Sequence, residues 1–248
     1  MRRAGSVLFW AFIVVTSILL FPFAVLIWAV TAPFDRRRVA LHRFTCFWAS
    51  LYTWCNPGWP VSITGRDNIE AGQTYMLVAN HESLVDILVL FRLFKDYKWV
   101  SKIENFKVPV IGWNMRMNRY IPLRRGDRES VIEMMAACRE RIGEGSSIMM
   151  FPEGTRSTTG QMRPFKTGAF ELAREAGIPV VPIVLRGTRN ALPKRGFVLQ
   201  GRHAITVTVL PPVPAGEVSA LTAEELTTHV QALIADELAS KPTPEVSS

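Results

Sequence analysis

From Ala4 to Phe34 the chain carries no charged residue. A run of that length has few destinations. The apolar core of a secretory leader is about 7–15 residues, and this run is about twice that. A helix that crosses a bilayer needs about 20 apolar residues, which the run supplies. Basic residues flank it on both sides, Arg2 and Arg3 before it and Arg36 to Arg38 after it. Positive charge prefers the cytoplasmic side, so a single crossing leaves one cluster on the unfavoured side. Pro22 removes a helix hydrogen bond in mid-run.

The next stretch, Val39 to Trp59, holds Phe44, Phe47, Trp48, Tyr52, Trp54 and Trp59, with His42 and Arg43 as polar points. Trp and Tyr favour the bilayer interface. The expected arrangement is therefore a pair of helices sunk into one leaflet, both ends cytoplasmic, with a true span as the alternative. Asn56-Pro57-Gly58 closes the element. The division expected is a membrane-binding element over 1–59, a globular domain over 60–240, and a polar, disordered tail over 241–248.

Beyond Pro60, short apolar runs alternate with helical patterns. Strands are expected at Val61–Thr64, Tyr75–Ala79, Trp99–Lys102, Tyr120–Leu123, Ser147–Phe151, Val180–Leu185 and Ile205–Leu210. Helices are expected at Ser83–Phe94, Val110–Met117, Arg128–Gly143, Lys166–Ala176 and Ala223–Leu238. Such alternation predicts an α/β fold, a largely parallel mixed sheet flanked by helices, with the apolar helical segment as a membrane anchor. Sites in open α/β sheets lie where strand ends feed loops.

The net charge is +8. Between Arg92 and Arg128 stand ten Lys/Arg and three Asp/Glu, a local +7. A basic segment implies an anionic partner, and the apolar anchor points to membrane lipids rather than nucleic acid. The cysteines, Cys46, Cys55 and Cys138, have no CxxC or metal-ligand spacing and read as free thiols of a reducing compartment.

Two segments carry chemistry. His81 closes an expected strand; Ser83 can cap the helix that follows, and Asp86 falls in its first turn. A carboxylate that fixes the tautomer of a histidine makes it a general base toward a hydroxyl. The plain alternative is a turn histidine and an aspartate drawn to a helix N-terminus. No GxSxG nucleophile motif is present, which favours direct attack by a substrate hydroxyl over an acyl-enzyme. The second segment is Phe151-Pro-Glu-Gly-Thr-Arg-Ser157. Pro152 and Gly154 shape a turn, and Gly154 lets the backbone approach a ligand. Arg156 offers a fork of donors to phosphate. Glu153 can accept from a substrate hydroxyl or brace Arg156. A charged surface turn is the alternative.

Taken together, Asn80 to Asp86 and Phe151 to Ser157 resemble the NHx4D and FPEGTRS blocks of the glycerolipid acyltransferases, over roughly Val61 to Leu210. Within that family the chain closely resembles the bacterial 1-acyl-sn-glycerol-3-phosphate acyltransferases. The resemblance implies that His81 is the general base and Asp86 its orienting partner. It implies acceptor binding by Glu153, Gly154, Thr155 and Arg156, and phosphate contacts from Arg124 and Lys102. The segment Tyr120-Ile-Pro-Leu-Arg124 departs from the family pattern, and Arg125 competes for the role of Arg124. Ile178-Pro-Val-Val-Pro-Ile183 matches a fourth block that shapes the site from behind. Glu82 stands where many members carry Gln, and Leu84 where Trp is frequent. These departures bear on acceptor choice.

The implied reaction moves a fatty acyl group from acyl-CoA or acyl carrier protein to the sn-2 hydroxyl of lysophosphatidic acid. It needs neither metal nor cofactor, and takes place at the cytoplasmic face of the cell inner membrane. Another lyso-lipid acceptor, a membrane-anchored basic binding module and a thioester hydrolase are the rival readings.

Overall fold

The protein is described by a computed structural model covering residues 2–157, 160–192 and 197–240; the expected tail at 241–248 lies outside these. Its strands are β1 (Val61–Thr64), β2 (Met76–Ala79), β3 (Tyr97–Lys102), β4 (Ile121–Leu123), β5 (Ser147–Met150), β6 (Val180–Arg186) and β7 (Ile205–Val209). Its helices are α1 (Arg2–Thr31), α2 (Val39–Trp54), α3 (Val85–Phe91), α4 (Ile111–Met117), α5 (Arg128–Gly143), α6 (Gly168–Ala176), α7 (Thr188–Ala191), α8 (Ala215–Ala220) and α9 (Ala223–Ser240).

The strands form one sheet in the order β1-β7-β6-β2-β5-β3-β4. Every neighbouring pair is parallel except β6 with β7. The sheet is thus mixed and largely parallel, as the alternation of elements predicts. Side chains alternate across it with the period of two that a strand imposes. Leu77 and Ala79 of β2 face a core shared with Val85 and Val89 of α3 and Cys46 and Ala49 of α2. Met76 and Val78 face the opposite core, with Met134 and Cys138 of α5, Phe170 and Leu172 of α6, and Val230 and Ile234 of α9. Both faces are covered, so β2, β5 and β6 are buried along their whole length. Each large side chain so buried stabilises the fold by roughly 1.5–3 kcal/mol.

α1 runs unbroken through Pro22. Its inner face is docked along the domain. Leu199 N donates to Ser6 Oγ (2.9 Å), Trp10 Nε1 to the Phe197 carbonyl (2.7 Å), and the Tyr52 hydroxyl meets Ser17 Oγ at 3.1 Å. Near the other end the Phe21 and Trp113 rings lie 5.5 Å apart. The outer face leaves Val7, Leu8, Val14, Val15, Ile18, Leu19 and Leu26 exposed. Among the described residues α1 is the one helix long and apolar enough to cross a membrane.

α2 behaves differently from the expectation that both helices sink into lipid. Leu41, His42, Thr45, Cys46, Trp48, Ala49 and Tyr52 are buried, and only part of its aromatic content, Phe47 and Trp54, faces outward. Packing therefore continues across residue 59, because α2 shares the core of the following domain. A buried polar network fastens this region. His42 Nδ1 meets the Tyr120 hydroxyl (2.7 Å) and its Nε2 the Lys95 carbonyl (2.9 Å). Lys98 Nζ donates to the carbonyls of Arg37 (2.6 Å) and Asn118 (3.0 Å), joining the α1–α2 connection to the end of α4. Burial lowers the Lys98 pKa to about 7 and that of His42 to about 3.

Candidate active site

The parallel strands β6, β2, β5, β3 and β4 end side by side, and the residues singled out in the sequence follow those ends. Asn80 leaves β2 with its side chain doubled onto β6. Its Nδ2 donates to the Leu185 carbonyl (2.9 Å), and Leu185 N donates to its Oδ1 (2.8 Å). This amide extends the strand pairing by one step and fixes where His81 begins.

His81 is 7% exposed. Its backbone N–H donates to Glu153 Oε1 (2.7 Å), and its carbonyl accepts from Ser157 N (2.9 Å). The ring stacks on Phe151, centroids 3.9 Å apart and 9° from parallel. Nδ1 lies 2.8 Å from Asp86 Oδ2. The same oxygen accepts the backbone N–H groups of Glu82 (2.7 Å) and Ser83 (2.8 Å), so the carboxylate organises the turn that carries it. An ionised Asp86 can only accept, so Nδ1 carries the proton and Nε2 presents its lone pair. Asp86 Oδ1 is buried with no hydrogen-bond partner among the described residues. Ser83 Oγ accepts from Val85 N (3.2 Å), as a cap at the start of α3 should, and donates to the Leu192 carbonyl (2.7 Å).

Glu153 is 4% exposed, and each of its oxygens accepts a backbone N–H. Oε1 holds His81 N and Oε2 holds Arg163 N (2.9 Å). Burial pushes its carboxyl pKa up, against the pull of those N–H groups. Gly154 has φ +70°, and a Cβ there would lie 3.1 Å from Lys166 Cε. The close approach that glycine permits is thus to the Lys166 side chain. Thr155 and Arg156 follow, both half-buried. Burial lowers the Arg156 pKa and nearby Asp86 raises it.

The two neighbouring arginines after β4 separate. Arg124 is exposed and pairs with Asp127 (2.9 Å), the residue that caps α5 by accepting from Ser130 N (3.1 Å). Arg125 is the one within electrostatic reach of Arg156: burial lowers its pKa, Glu104 raises it and Arg156 lowers it. Lys102, at the end of β3, pairs with the same Glu104 at 3.0 Å. Glu104 thus lies near both Lys102 and Arg125, and Arg125 and Arg156 feel one another's charge, while Arg124 is paired with Asp127 at the start of α5. Lys166 and Arg189 also stand at this end of the sheet and were not read from the sequence. Lys166 betrays itself only through the glycine it covers, and Arg189 sits on α7, which is too short to give a periodic signal.

A hydrogen-bonded His–Asp pair can deprotonate a hydroxyl. A family model described as Acyltransferase matches residues 60–186. A Chlamydomonas reinhardtii protein named 1-acyl-sn-glycerol-3-phosphate acyltransferase is 37% identical over 217 residues, 86% of this chain and 65% of that protein. The chloroplastic protein of that name from Brassica napus is 42% identical over 162 residues, 64% of this chain and 46% of its own length. The chain thus spans about half to two thirds of these relatives. The crystal structure of the 1-acyl-sn-glycerophosphate (LPA) acyltransferase PlsC from Thermotoga maritima superposes with a TM-score of 0.77 at 22% identity, covering 98% of this chain and 100% of that one. That likeness is one of fold. With its 60–186 segment matched and the His–Asp pair standing at the end of β2, the chain belongs to the acyltransferase family.

Proposed function

We propose that this protein transfers a fatty acyl group from an acyl thioester to the sn-2 hydroxyl of lysophosphatidic acid, forming phosphatidic acid. The observation that carries the reading is the 2.8 Å bond between His81 Nδ1 and Asp86 Oδ2 at a strand end, with Arg156 near enough to feel the Asp86 charge. The relatives' shared name supports the acceptor. Lys102, Arg125 and Arg156 hold the phosphate. His81 Nε2 takes the hydroxyl proton as that oxygen attacks the thioester carbonyl. The C–S bond breaks as the ester forms, and the departing thiolate takes the proton from the imidazolium. Asp86 stabilises that cation while it lasts. The donor is acyl-CoA or acyl carrier protein. The uncovered apolar face of α1 lies in one leaflet of the inner membrane, and its docking along the domain holds the site at the cytoplasmic surface, where the acceptor resides.

The test is a panel of lyso-lipid acceptors with purified enzyme and acyl-CoA, read by lipid mass spectrometry. Phosphatidic acid should be the main product, and it should vanish in His81→Ala. Preferential acylation of another lyso-lipid would overturn the acceptor assignment. Thiol release without acceptor, at the full rate, would make the protein a hydrolase.

A further inference from the structure

Between β3 and α4 the chain makes a tip, Lys107 to Trp113, that the mechanism above leaves unused. It follows the short turn Ile103–Lys107 that leaves the end of β3. Phe106 is buried beneath it, and a Cβ on Gly112 would stand 2.2 Å from the Phe106 carbonyl, so only glycine lets the tip close this tightly. Ile111 N donates to the Pro109 carbonyl (2.6 Å) and Gly112 N to that of Val108 (2.7 Å). Val110 is held at φ +65° and ψ −60°, a strained conformation for a β-branched residue. Its side chain, with that of Met117, packs into the core between α1 and α2. Val108, Pro109, Ile111 and Trp113 are exposed. The tip thus has a buried footing and its own backbone bonds, while its large apolar side chains meet solvent.

This patch continues the uncovered face of α1. The half-exposed Trp113 ring lies 5.5 Å from Phe21. On a helix the neighbours of Phe21 stand three and four residues away, and among them Ile18 and Val25 are exposed. Trp113 therefore bridges from the open face of α1 to Ile111 and Val108. Charge borders the patch. Lys107 opens it and Arg116 follows one turn after Trp113; both are exposed, and the stretch between them holds no acidic residue. Glu104 is a carboxylate that feels Lys107, and it is already paired with Lys102 at 3.0 Å. An apolar centre, a tryptophan and a basic border match a leaflet with anionic headgroups.

We propose that this tip enters the same leaflet as α1, with Ile111 and Trp113 below the headgroups and Lys107 and Arg116 among anionic ones. This rests on the reading that α1 lies in a bilayer. A protein held by one helix is free to roll about that helix, and a second contact beside it stops the roll. β3 ends at Lys102, and one short turn joins that end to the tip. Seating the tip therefore sets the orientation in which the strand ends that bear His81 meet the lipid surface.

The experiment places an environment-sensitive fluorophore on single cysteines of the full chain, with Cys55→Ser removing the exposed native thiol; Cys46 and Cys138 are buried. The reporters are Ile111→Cys on the tip, Leu19→Cys on α1 and Ala232→Cys on α9, which covers the opposite core. Should Ile111→Cys fail to fold, Val108→Cys reports from the same tip. Vesicles of equal parts phosphatidylglycerol and phosphatidylcholine carry a nitroxide quencher on their acyl chains. Positions 111 and 19 should be quenched about threefold or more above position 232. Quenching at 19 with none above the 232 level at 111 would overturn the proposal and leave α1 in the membrane. If position 111 were then also shielded from aqueous iodide, a second copy of the chain would be the occupant. Quenching at neither 19 nor 111 would bring down the membrane reading of α1 as well. Lys107→Glu combined with Arg116→Glu should lower the quenching at 111 about twofold and leave that at 19 unchanged. Equal quenching at 111 in this variant would overturn the headgroup contact.

Discussion

His81 is held through its backbone N–H, its carbonyl, its ring nitrogen and its ring face. Lys102 and Arg124, with side chains 43% and 62% exposed, are steadied by ion pairs at the surface. The His81 ring is thus fixed through one nitrogen and one face, while Lys102 and Arg124 are held only by exposed ion pairs. Proton transfer needs heavy atoms within hydrogen-bond reach, so the rigidity lies where distance decides rate. Exposed ion pairs of this kind contribute only about 0–1 kcal/mol.

The difference can be broken at the rigid end first. His81→Ala and Asp86→Asn should each lower kcat by about 10²–10⁴-fold while thermal melting shows a folded protein. Near wild-type turnover in either would remove the dyad from the mechanism. Next comes Glu153→Gln. A glutamine can accept from one of the two N–H groups that the carboxylate holds, and it turns an amide N–H toward the other. Stability should fall by about 1–3 kcal/mol, and kcat should drop while the acceptor KM stays within about twofold. A large rise in KM with kcat preserved would make Glu153 a substrate ligand after all.

At the exposed end, Arg125→Gln should raise the KM for a phosphate-bearing acceptor roughly tenfold, and Arg124→Gln by less than about twofold. Equal effects would erase the distinction between the neighbouring arginines. The smallest effect concerns stability. In the unfolded chain Glu82 ionises near 4.5, in the folded protein near 7. As pH rises through that window the unfolded state loses its proton first, so the native state loses ground to it. Glu82→Gln should therefore raise the Tm at pH 8 by a few degrees, about 2–4 °C per kcal/mol in a chain of this size, and leave it unchanged below pH 4.5. A gain of equal size at both ends of the range would show that packing, not charge, is responsible.

Much of this was legible in the residues alone. Each of the expected strands is present within two residues of its expected bounds, because short apolar runs between turn residues have few other uses. The helix over Arg128–Gly143 appears as expected, with Asp127 as its cap. α7 and α8 escaped because four and six residues are too few to show a helical period. The aromatic residues of α2 suggested lipid, yet Trp48 and Tyr52 turn inward, since an interfacial and a core tryptophan look alike in one dimension. Glu153 escaped for another reason: its partners are backbone N–H groups, one of them 72 residues away, and a main-chain donor leaves no mark on composition. Arg124 and Arg125 have different charged neighbours, Asp127 for the first and Glu104 and Arg156 for the second, which adjacency in sequence does not encode.

The uncovered stripe on α1 has a practical consequence. In water it would seek its own likeness, and two copies laid stripe to stripe would bury what the bilayer normally covers. The particle size of the purified protein will therefore follow the amphiphile in the buffer. Micelle, nanodisc and bare solution should each give a different apparent mass from the same polypeptide, and only the lipid-bound form counts protomers as the cell would.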